Sequence, residues 1–454
     1  MEKNKQRKGG FIKGAVIIAS GGFIAKLIGA LYRIPLTNLI GGHGLGLYQM
    51  VYPVYCLLLT VSATGIPSSI AKLTAERIEK GEDDRAVLKT AMKIFLIIGA
   101  IGTLFMCVAT PYLSKAQESE EVKFGYYALA PSVFFVSAIS VFRGWFQGKN
   151  DMLPTASSEV IEQVVKVGFG LLFAYRFQGD IPTAVTFLLL AVTLSELVAL
   201  LFMWVVYRRK RKGVKSKKKG GRVETKDVLR LSIPVTLSAM LLPLSSLLDS
   251  VFAVKLMGAY ASDPVALYGL FSGGAVTVVN LPVSICYGVA AASIPAVATA
   301  RAKAETQDNK TGKKSVRKRL FFSLGITALI ALPSAVGLYF FAEPVVKIIY
   351  RSLTGNELET LVKLIRIFSV SAFTLSCAQT LSACLTAQGK PQYAALSMLI
   401  AVVVKTAVYG TLLKKPEFSV FGLAHAGNAC YLVAFLLNLL YNLFVSKRIR
   451  RKKA

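Results

Sequence analysis

Long apolar stretches, separated by short polar or basic segments, run through almost the whole chain. A helix that crosses a membrane needs about 20 consecutive, mainly apolar residues. The pattern therefore predicts an all-α polytopic membrane protein with about twelve transmembrane helices. The predicted spans are residues 11–33, 46–71, 87–113, 122–145, 154–176, 181–207, 228–257, 265–300, 320–342, 361–386, 392–413 and 419–446.

The basic residues between these spans predict their orientation, because loops on the cytoplasmic side carry an excess of Lys and Arg. If the N-terminus is cytoplasmic, the segments predicted to lie inside hold 39 basic residues and those outside hold nine. One missed span would invert every later loop and remove this asymmetry. We therefore expect both termini to be cytoplasmic.

A strongly basic run, RRKRKGVKSKKKGGR, occupies residues 208–222 at the middle of the chain. We interpret it as a lipid-facing linker that sets topology; the alternative is a binding site for anionic lipid or nucleic acid. The position of this run divides the chain into three predicted parts. These are an N-terminal six-helix lobe (1–207), a basic cytoplasmic linker (208–227) and a C-terminal six-helix lobe with a basic tail (228–454).

The two halves share short motifs at corresponding places. Gln-Gly-Lys stands at the inner end of span 4 (147–149) and again at the inner end of span 10 (388–390), and Lys166 and Lys405 follow at similar distances. These motifs predict a duplicated six-helix unit whose copies share one orientation. Two pseudo-symmetric lobes around a central cavity are typical of transporters.

The composition narrows the function further. A net charge of +30 accompanies 54% hydrophobic residues, which excludes a soluble nucleic-acid binder and a disordered chain. The sequence lacks a Walker A loop, a dinucleotide-binding glycine pattern, paired zinc-binding histidines and a nucleophile elbow. We expect a protein that is not an enzyme and that holds no metal or cofactor.

Charged residues inside the spans are the best candidates for a site, since each costs about 2.5–3.5 kcal/mol at a helix centre unless it faces a cavity or a partner. Lys26 and Arg33 are seven residues apart in span 1 and so share one helix face. A site formed by Lys and Arg selects anions, and Arg suits phosphate. The alternative is that Arg33 extends to the outer membrane surface.

Asp249 in span 7 is predicted at about the same depth as Arg33. We expect these two residues to form an ion pair that opens and closes as a gate. The alternatives are a fixed structural pair and a carboxylate at the outer surface.

Spans 5 and 6 carry four further charges. Glu159, Glu162 and Lys166 follow each other on span 5, where the spacing of Glu162 and Lys166 is typical of a helical ion pair. Glu196 is isolated in span 6, where it either binds a proton or cation or accepts hydrogen bonds from Ser or Thr. All four are candidates for coupling or gating.

Three stretches resemble one known group. FIKGAVIIASGGFIAKLIGALYRIPLTNLIGGHGLGLYQM, TGIPSSIAKLTAE and FRGWFQGKNDMLPTASSEVIEQVVKV are similar to segments of the stage V sporulation protein B group. That group belongs to the multidrug/oligosaccharidyl-lipid/polysaccharide exporter superfamily. The resemblance implies a V-shaped pair of six-helix lobes and the movement of undecaprenyl-pyrophosphate-linked sugars by alternating access.

The resemblance also bears on individual residues. Lipid II flippases of this superfamily have two basic residues around a glycine in span 1; Lys26 matches the first, and Arg33 matches the second with a shift of one residue. Those flippases also use an arginine in span 2 and have fourteen spans, and this sequence departs from both features.

Together these observations predict a flippase for lipid II or a related cell-wall or polysaccharide precursor, in the bacterial cytoplasmic membrane. Membrane potential, Na⁺ or H⁺ is the expected driving force. The expected partners are the lipid-linked oligosaccharide, anionic lipids at the basic loops and cell-wall synthesis proteins, with no nucleic acid. The alternatives are an ion-coupled exporter of soluble small molecules and a non-transporting scaffold of a wall-synthesis complex.

Overall fold

The computed structural model describes residues 2–61, 66–211, 240–306 and 309–447. Within these ranges the chain is helical, without any β-strand. The helices are α1 (Glu2–Leu59), α2 (Ile66–Glu79), α3 (Arg85–Ala116), α4 (Lys123–Gly148), α5 (Leu153–Arg176), α6 (Ile181–Arg211), α7 (Leu241–Met257), α8 (Pro264–Gly269), a π-helix (Leu270–Ala275), α9 (Val276–Thr306), α10 (Asn309–Phe340), α11 (Ala342–Ile349), α12 (Gly355–Phe368), α13 (Val370–Ala387), α14 (Pro391–Leu412) and α15 (Phe421–Lys447).

Nine helices in the described ranges are long and apolar enough to cross a membrane. One of them, Ser20–Leu59, overlaps the first two predicted spans, the second of which ends within α2. Two more predicted spans correspond to α5 and α7. The apolar sequence of α5 contains charged residues, and the described part of α7 has 17 residues. The all-α polytopic membrane fold is therefore confirmed.

Large apolar side chains cover the outer faces of several helices. Leu104 on α3 is 64% exposed and Leu329 on α10 is 75% exposed. In water such faces would be unfavourable, whereas in a membrane they contact lipid chains. These faces fit helices surrounded by hydrocarbon.

The connection between the first two spans differs from the prediction. Residues 34–45 were expected to form a loop, but helix continues through them except at Gly41. Gly41 has φ 66° and ψ −171°, a backbone conformation essentially restricted to glycine. One glycine therefore separates the two helical segments of α1.

Three other predicted boundaries differ in detail. Predicted span 8 begins as the short helix α8, passes through the π-helix and continues as α9. Predicted span 10 consists of α12 and α13, which meet at Ser369 with nearly helical torsion angles (φ −56°, ψ −32°). The pattern did not predict α11, a separate helix of eight residues that follows α10.

The chain divides into two compact units, residues 1–251 and 252–454, called the first and second unit below. Most of the predicted linker, 208–227, lies in the range 212–239, outside the described residues. The predicted lobe boundaries therefore stay predictions.

Four helix pairings of the first unit recur in the second. In the first unit, span 4 packs against spans 2, 3 and 6, and span 5 packs against span 6. In the second unit, span 10 packs against spans 8, 9 and 12, and span 11 packs against span 12. The packed pairs are α2–α4, α3–α4, α4–α6 and α5–α6 in the first unit, and α9–α13, α10–α13, α13–α15 and α14–α15 in the second. This recurrence supports the predicted duplication.

Candidate functional site

Glycines bring α1 unusually close to α5 in the first unit. A Cβ at Gly21 would lie 2.6 Å from the Cβ of Ala156, and one at Gly29 would lie 3.2 Å from Oε1 of Gln163. The face of α1 that carries Gly29 is also the face to which Lys26 and Arg33 belong by helical spacing. The side chain of Lys26 lies outside the described residues, so its predicted role stays a prediction.

Arg143 of α4 neutralises one of the predicted site carboxylates. Its Nη2 lies 3.1 Å from Oε2 of Glu162, and its Nε donates a hydrogen bond to Oγ of Ser158 at 2.9 Å. The side chains of Arg143 and Glu162 are only 16% and 18% exposed. Arg143 thus takes the position next to Glu162 that the helical spacing had predicted for Lys166.

Lys166 lies close to several charged groups. Among the described residues none forms a hydrogen bond or an ion pair within 4.0 Å with its Nζ. The charges of Glu162, Glu196 and Arg33 nevertheless act on it. Its ammonium group is therefore available to a ligand.

Glu196 lies at the midpoint of α6 and is only 3% exposed. The hydroxyl of Tyr55 donates a hydrogen bond to its Oε1 at 3.1 Å. Among the described residues its other oxygen, Oε2, has no hydrogen-bond partner. The donor to this carboxylate is therefore a tyrosine, and not the Ser or Thr of the predicted alternative. This hydrogen bond satisfies only one of the two carboxylate oxygens.

Three tyrosines on the second segment of α1 form a stripe beside these charges. The rings of Tyr48 and Tyr52 stack with centroids 5.2 Å apart, and those of Tyr52 and Tyr55 lie 5.6 Å apart. The charge of Arg33 acts on Tyr48 and Tyr52. Their spacing in the sequence, four and then three residues, is the signal that would have identified the stripe.

The charged side chains of α1, α4, α5 and α6 described above form one group, called the charged cluster below. It contains four predicted site residues of α5 and α6, predicted Arg33 of α1, and Arg143 of α4, which the sequence analysis had counted only as a cytoplasmic flanking charge. Its members are Arg33, Arg143, Glu159, Glu162, Lys166 and Glu196.

The charged cluster has three cationic and three anionic side chains, all within predicted spans. Glu162 is already engaged with Arg143, whereas Lys166 has no such partner among the described residues. Buried charges are costly unless paired. The arrangement is therefore suited to take up an anion next to Lys166.

Asp249, the predicted gate residue, is buried in α7 at 7% exposure. It is not among the groups whose charges act on Arg143, Lys166 or Glu196. The next residue, Ser250, accepts a hydrogen bond from Nε2 of Gln117 at 3.0 Å, and the same Nε2 donates to the carbonyl of Met50 at 2.9 Å. The gate between Arg33 and Asp249 stays a prediction.

The second unit has a separate cavity of about 460 Å³. Asp263 and Glu357 line it, and Oδ1 of Asp263 accepts a hydrogen bond from the backbone N–H of Ala266 at 2.8 Å. Burial, with the nearby Asp263 carboxylate as a smaller cause, raises the pKa of Glu357. In the described ranges no group of three or more His, Cys, Asp or Glu side chains is arranged to hold a metal ion.

Known structures share this fold. An inward-facing multidrug resistance MATE family transporter of the MOP superfamily superposes with a TM-score of 0.79 at 17% identity, covering 94% of this chain and 95% of the transporter. An outward-facing MATE family transporter of the same superfamily gives a TM-score of 0.68 at 17% identity and covers 96% of both chains. The fold is therefore that of MOP superfamily transporters.

The family follows from the sequence. The model of the polysaccharide biosynthesis protein family matches residues 11–301, and this chain belongs to that family. Among its relatives, stage V sporulation protein B of Bacillus subtilis is 26% identical over 92% of this chain and 80% of its own length. The lipid II flippase MurJ of Bacillus subtilis is 23% identical over 96% of this chain and 82% of its own length.

Proposed function

We propose that this chain is a flippase that carries a saccharide linked to a polyprenyl pyrophosphate across the membrane. The observation that carries the proposal is Lys166, a lysine within a membrane-spanning helix whose ammonium has no ion-pair or hydrogen-bond partner among the described residues. A pyrophosphate supplies the counter-charge that such a lysine lacks. A relative named lipid II flippase supports the same class of substrate.

The physical task is to move a charged, hydrated headgroup through hydrocarbon while the lipid tail stays in the bilayer. Cations of the charged cluster offset the loss of hydration of the pyrophosphate. A membrane potential that is negative inside drives anions outward, by about 2.3 kcal/mol per charge per 100 mV. Lipid II or a related wall precursor is the proposed cargo, and anionic lipids and cell-wall synthesis proteins are the proposed partners.

A flipping assay in liposomes tests the proposal. Purified full-length protein is reconstituted with a fluorescent undecaprenyl-pyrophosphate-linked saccharide, and the fraction accessible to an impermeant quencher is followed over time. We expect Arg33→Gln and Lys166→Met to slow flipping by roughly tenfold or more, equivalent to about 1.4 kcal/mol of lost attraction. Lys405→Met, the counterpart of Lys166 in the second unit, should keep a rate close to that of the parent protein.

Equal rates for the parent and Lys166→Met proteins would contradict the anion site. Absence of flipping by the parent protein for every lipid-linked saccharide would contradict the flippase itself. If variants with the cluster charges replaced still complemented a deletion strain, a non-transporting scaffold would be favoured.

A second candidate is an ion-coupled exporter of soluble small molecules. One observation favours it: Glu159, Glu162 and Glu196 place three carboxylates in the charged cluster, and carboxylates suit organic cations. Transport of cationic dyes by the reconstituted protein, inhibited by Glu162→Gln, would support this candidate.

The gate gives a further test of the proposed cycle. Arg33 and Asp249 are expected to approach when the protein is closed to the outside and to separate when it opens. Asp249→Ala should therefore slow flipping, and exchanging the two charges (Arg33→Asp with Asp249→Arg) should recover closure without full substrate binding. Crosslinking of cysteines placed beside the two positions, with Arg33 and Asp249 kept, measures closure, and equal crosslinking with and without substrate would contradict the gate.

We also propose that the protein lies in the cytoplasmic membrane with both termini inside, as the loop charges predict. Cysteines that replace Glu118 or Asn356 in a cysteine-free variant should react with an impermeant thiol reagent on intact cells. A cysteine at Ser216 should react only after permeabilisation, and its labelling in intact cells would contradict this orientation.

A further inference from the structure

The carboxyl group of Glu196 is only partly satisfied by hydrogen bonds. It is 3% exposed, and only its Oε1 accepts a hydrogen bond, from Tyr55 at 3.1 Å. Among the described residues no donor reaches Oε2. A buried carboxylate with one unsatisfied oxygen carries a desolvation cost that a proton removes.

The groups that face Glu196 come from all three helices packed against α6. Tyr55 of α1 donates the hydrogen bond, Arg143 of α4 contributes a positive charge, and Glu162 and Lys166 of α5 contribute one charge of each sign. Arg143 is held by Glu162 at 3.1 Å. Lys166 has no such partner among the described residues, so it is the cation left to interact with the charge of Glu196 or of a ligand.

Glu196 and an incoming anion compete for this lysine. When Glu196 is charged, it attracts Lys166 and repels an anion. When Glu196 is protonated, its repulsion of the anion disappears, while Glu162 stays paired with Arg143. Because each event favours the other, the uptake of a proton and the binding of an anion are linked, with the same coupling in both directions.

We propose that Glu196 takes up a proton when a pyrophosphate binds beside Lys166, so that the proton and the anionic headgroup occupy the protein together. This inference rests on the proposed anion site and adds its regulation. The linkage gives tighter pyrophosphate binding at lower pH. Above the pH range in which Glu196 is protonated in the protein without pyrophosphate, the affinity for pyrophosphate falls by up to about tenfold per pH unit.

Calorimetric titration of the full-length protein in lipid nanodiscs tests this linkage, with geranylgeranyl pyrophosphate as the probe. Titrations in two buffers of different ionisation enthalpy, at a pH where the free pyrophosphate is fully ionised, give the number of protons taken up. The parent protein should take up about one proton per pyrophosphate bound. Glu196→Gln, which keeps the size of the side chain, should bind the probe without proton uptake and independently of pH.

Two more variants make the result specific. Tyr55→Phe removes the hydrogen bond that stabilises the charged carboxylate, so proton uptake should shift to higher pH; this variant also serves if Glu196→Gln does not fold. Glu343→Gln changes a carboxylate of α11 that pairs with Lys347 at 2.7 Å and should leave the proton count unchanged.

The outcomes separate the two proposals. Binding by the parent protein without proton uptake, or unchanged uptake in Glu196→Gln, overturns the linkage and leaves the anion site standing. Failure of the parent protein to bind the probe at any pH overturns both the linkage and the anion site.

Discussion

The two units use different polar chemistry inside the membrane. In the first unit, predicted spans 5 and 6 hold Glu159, Glu162 and Glu196, and cationic side chains of α4 and α5 interact with them. In the second unit, predicted spans 8 to 12 contain no Asp or Glu. Helices that pack in the same order therefore carry charges in one unit and mainly neutral polar groups in the other.

Amides connect the helices of the second unit. Nδ2 of Asn442 on α15 donates to the carbonyls of Leu381 (2.9 Å) and Asn438 (2.8 Å). Its Oδ1 accepts a hydrogen bond from Nε2 of Gln388 at 2.8 Å. Asn438 in turn donates to the carbonyl of Ala378 on α13 at 3.1 Å.

This difference suggests a division of work between the units. An amide keeps the same charge at every pH, so the network of the second unit holds α13 and α15 together under all conditions. A carboxylate or ammonium responds to protons and to ions. The binding of a charged substrate is therefore expected in the first unit, and the following predictions test that comparison.

The largest expected effect on stability comes from Arg143→Ala. Removal of the guanidinium leaves Glu162 without its ion pair in a mostly buried place, which costs about 3 kcal/mol. Thermal unfolding of the purified protein in detergent should show a clearly lower midpoint.

Arg143→Met combined with Glu162→Leu should recover most of this stability, because neither charge is then left alone. Arg366→Ala changes an exposed arginine of α12 and should shift stability by no more than about 0.5 kcal/mol. If Arg143→Ala unfolds at the parent midpoint, the buried ion pair is unimportant for the first unit.

A smaller effect on stability, without an effect on transport, is expected for Asn442→Ala. The change removes the hydrogen bonds to Leu381 and Gln388 and costs about 1–3 kcal/mol. Flipping per folded molecule should stay at the parent rate, since no cluster residue is touched. A loss of flipping in well-folded Asn442→Ala would break the proposed division between the units.

Effects of about 1–2 kcal/mol are expected at the Gln-Gly-Lys motifs. At Gly148 a new Cβ would lie 2.6 Å from the carbonyl oxygen of Ala71, so Gly148→Ala should cost about 2 kcal/mol through overpacking. Gly389 has open space around it but a φ of +68°, so Gly389→Ala should cost about 1 kcal/mol through backbone strain.

Asparagine separates these two causes, because it tolerates positive φ but is larger than alanine. Gly389→Asn should be milder than Gly389→Ala, whereas Gly148→Asn should be worse than Gly148→Ala. The thermal unfolding midpoints of the four variants measure this, and the same rank order at both positions would show that the motifs are restrained for one common reason.

The sequence predicted the spans well because a membrane imposes long apolar stretches on every crossing helix. It also singled out Glu162, Lys166 and Glu196 as candidates, since charges inside such stretches are conspicuous, and their role stays a prediction. It did not predict that Arg143 pairs with Glu162, or that Tyr55 contacts Glu196, because these partners lie on other helices. Local spacing gives neighbours along one helix, whereas contacts between helices depend on packing.

Gly41 gives α1 a property that an ordinary loop does not have. Loops usually absorb inserted or deleted residues without effect on the segments that follow. Here helix resumes directly after one glycine, and each residue added to a helix rotates everything beyond it by about 100°. A single insertion between Gly41 and Tyr48 would therefore turn Tyr55 away from Glu196. A change in chain length at this point thus alters a contact two or more helical turns away, at the midpoint of α6.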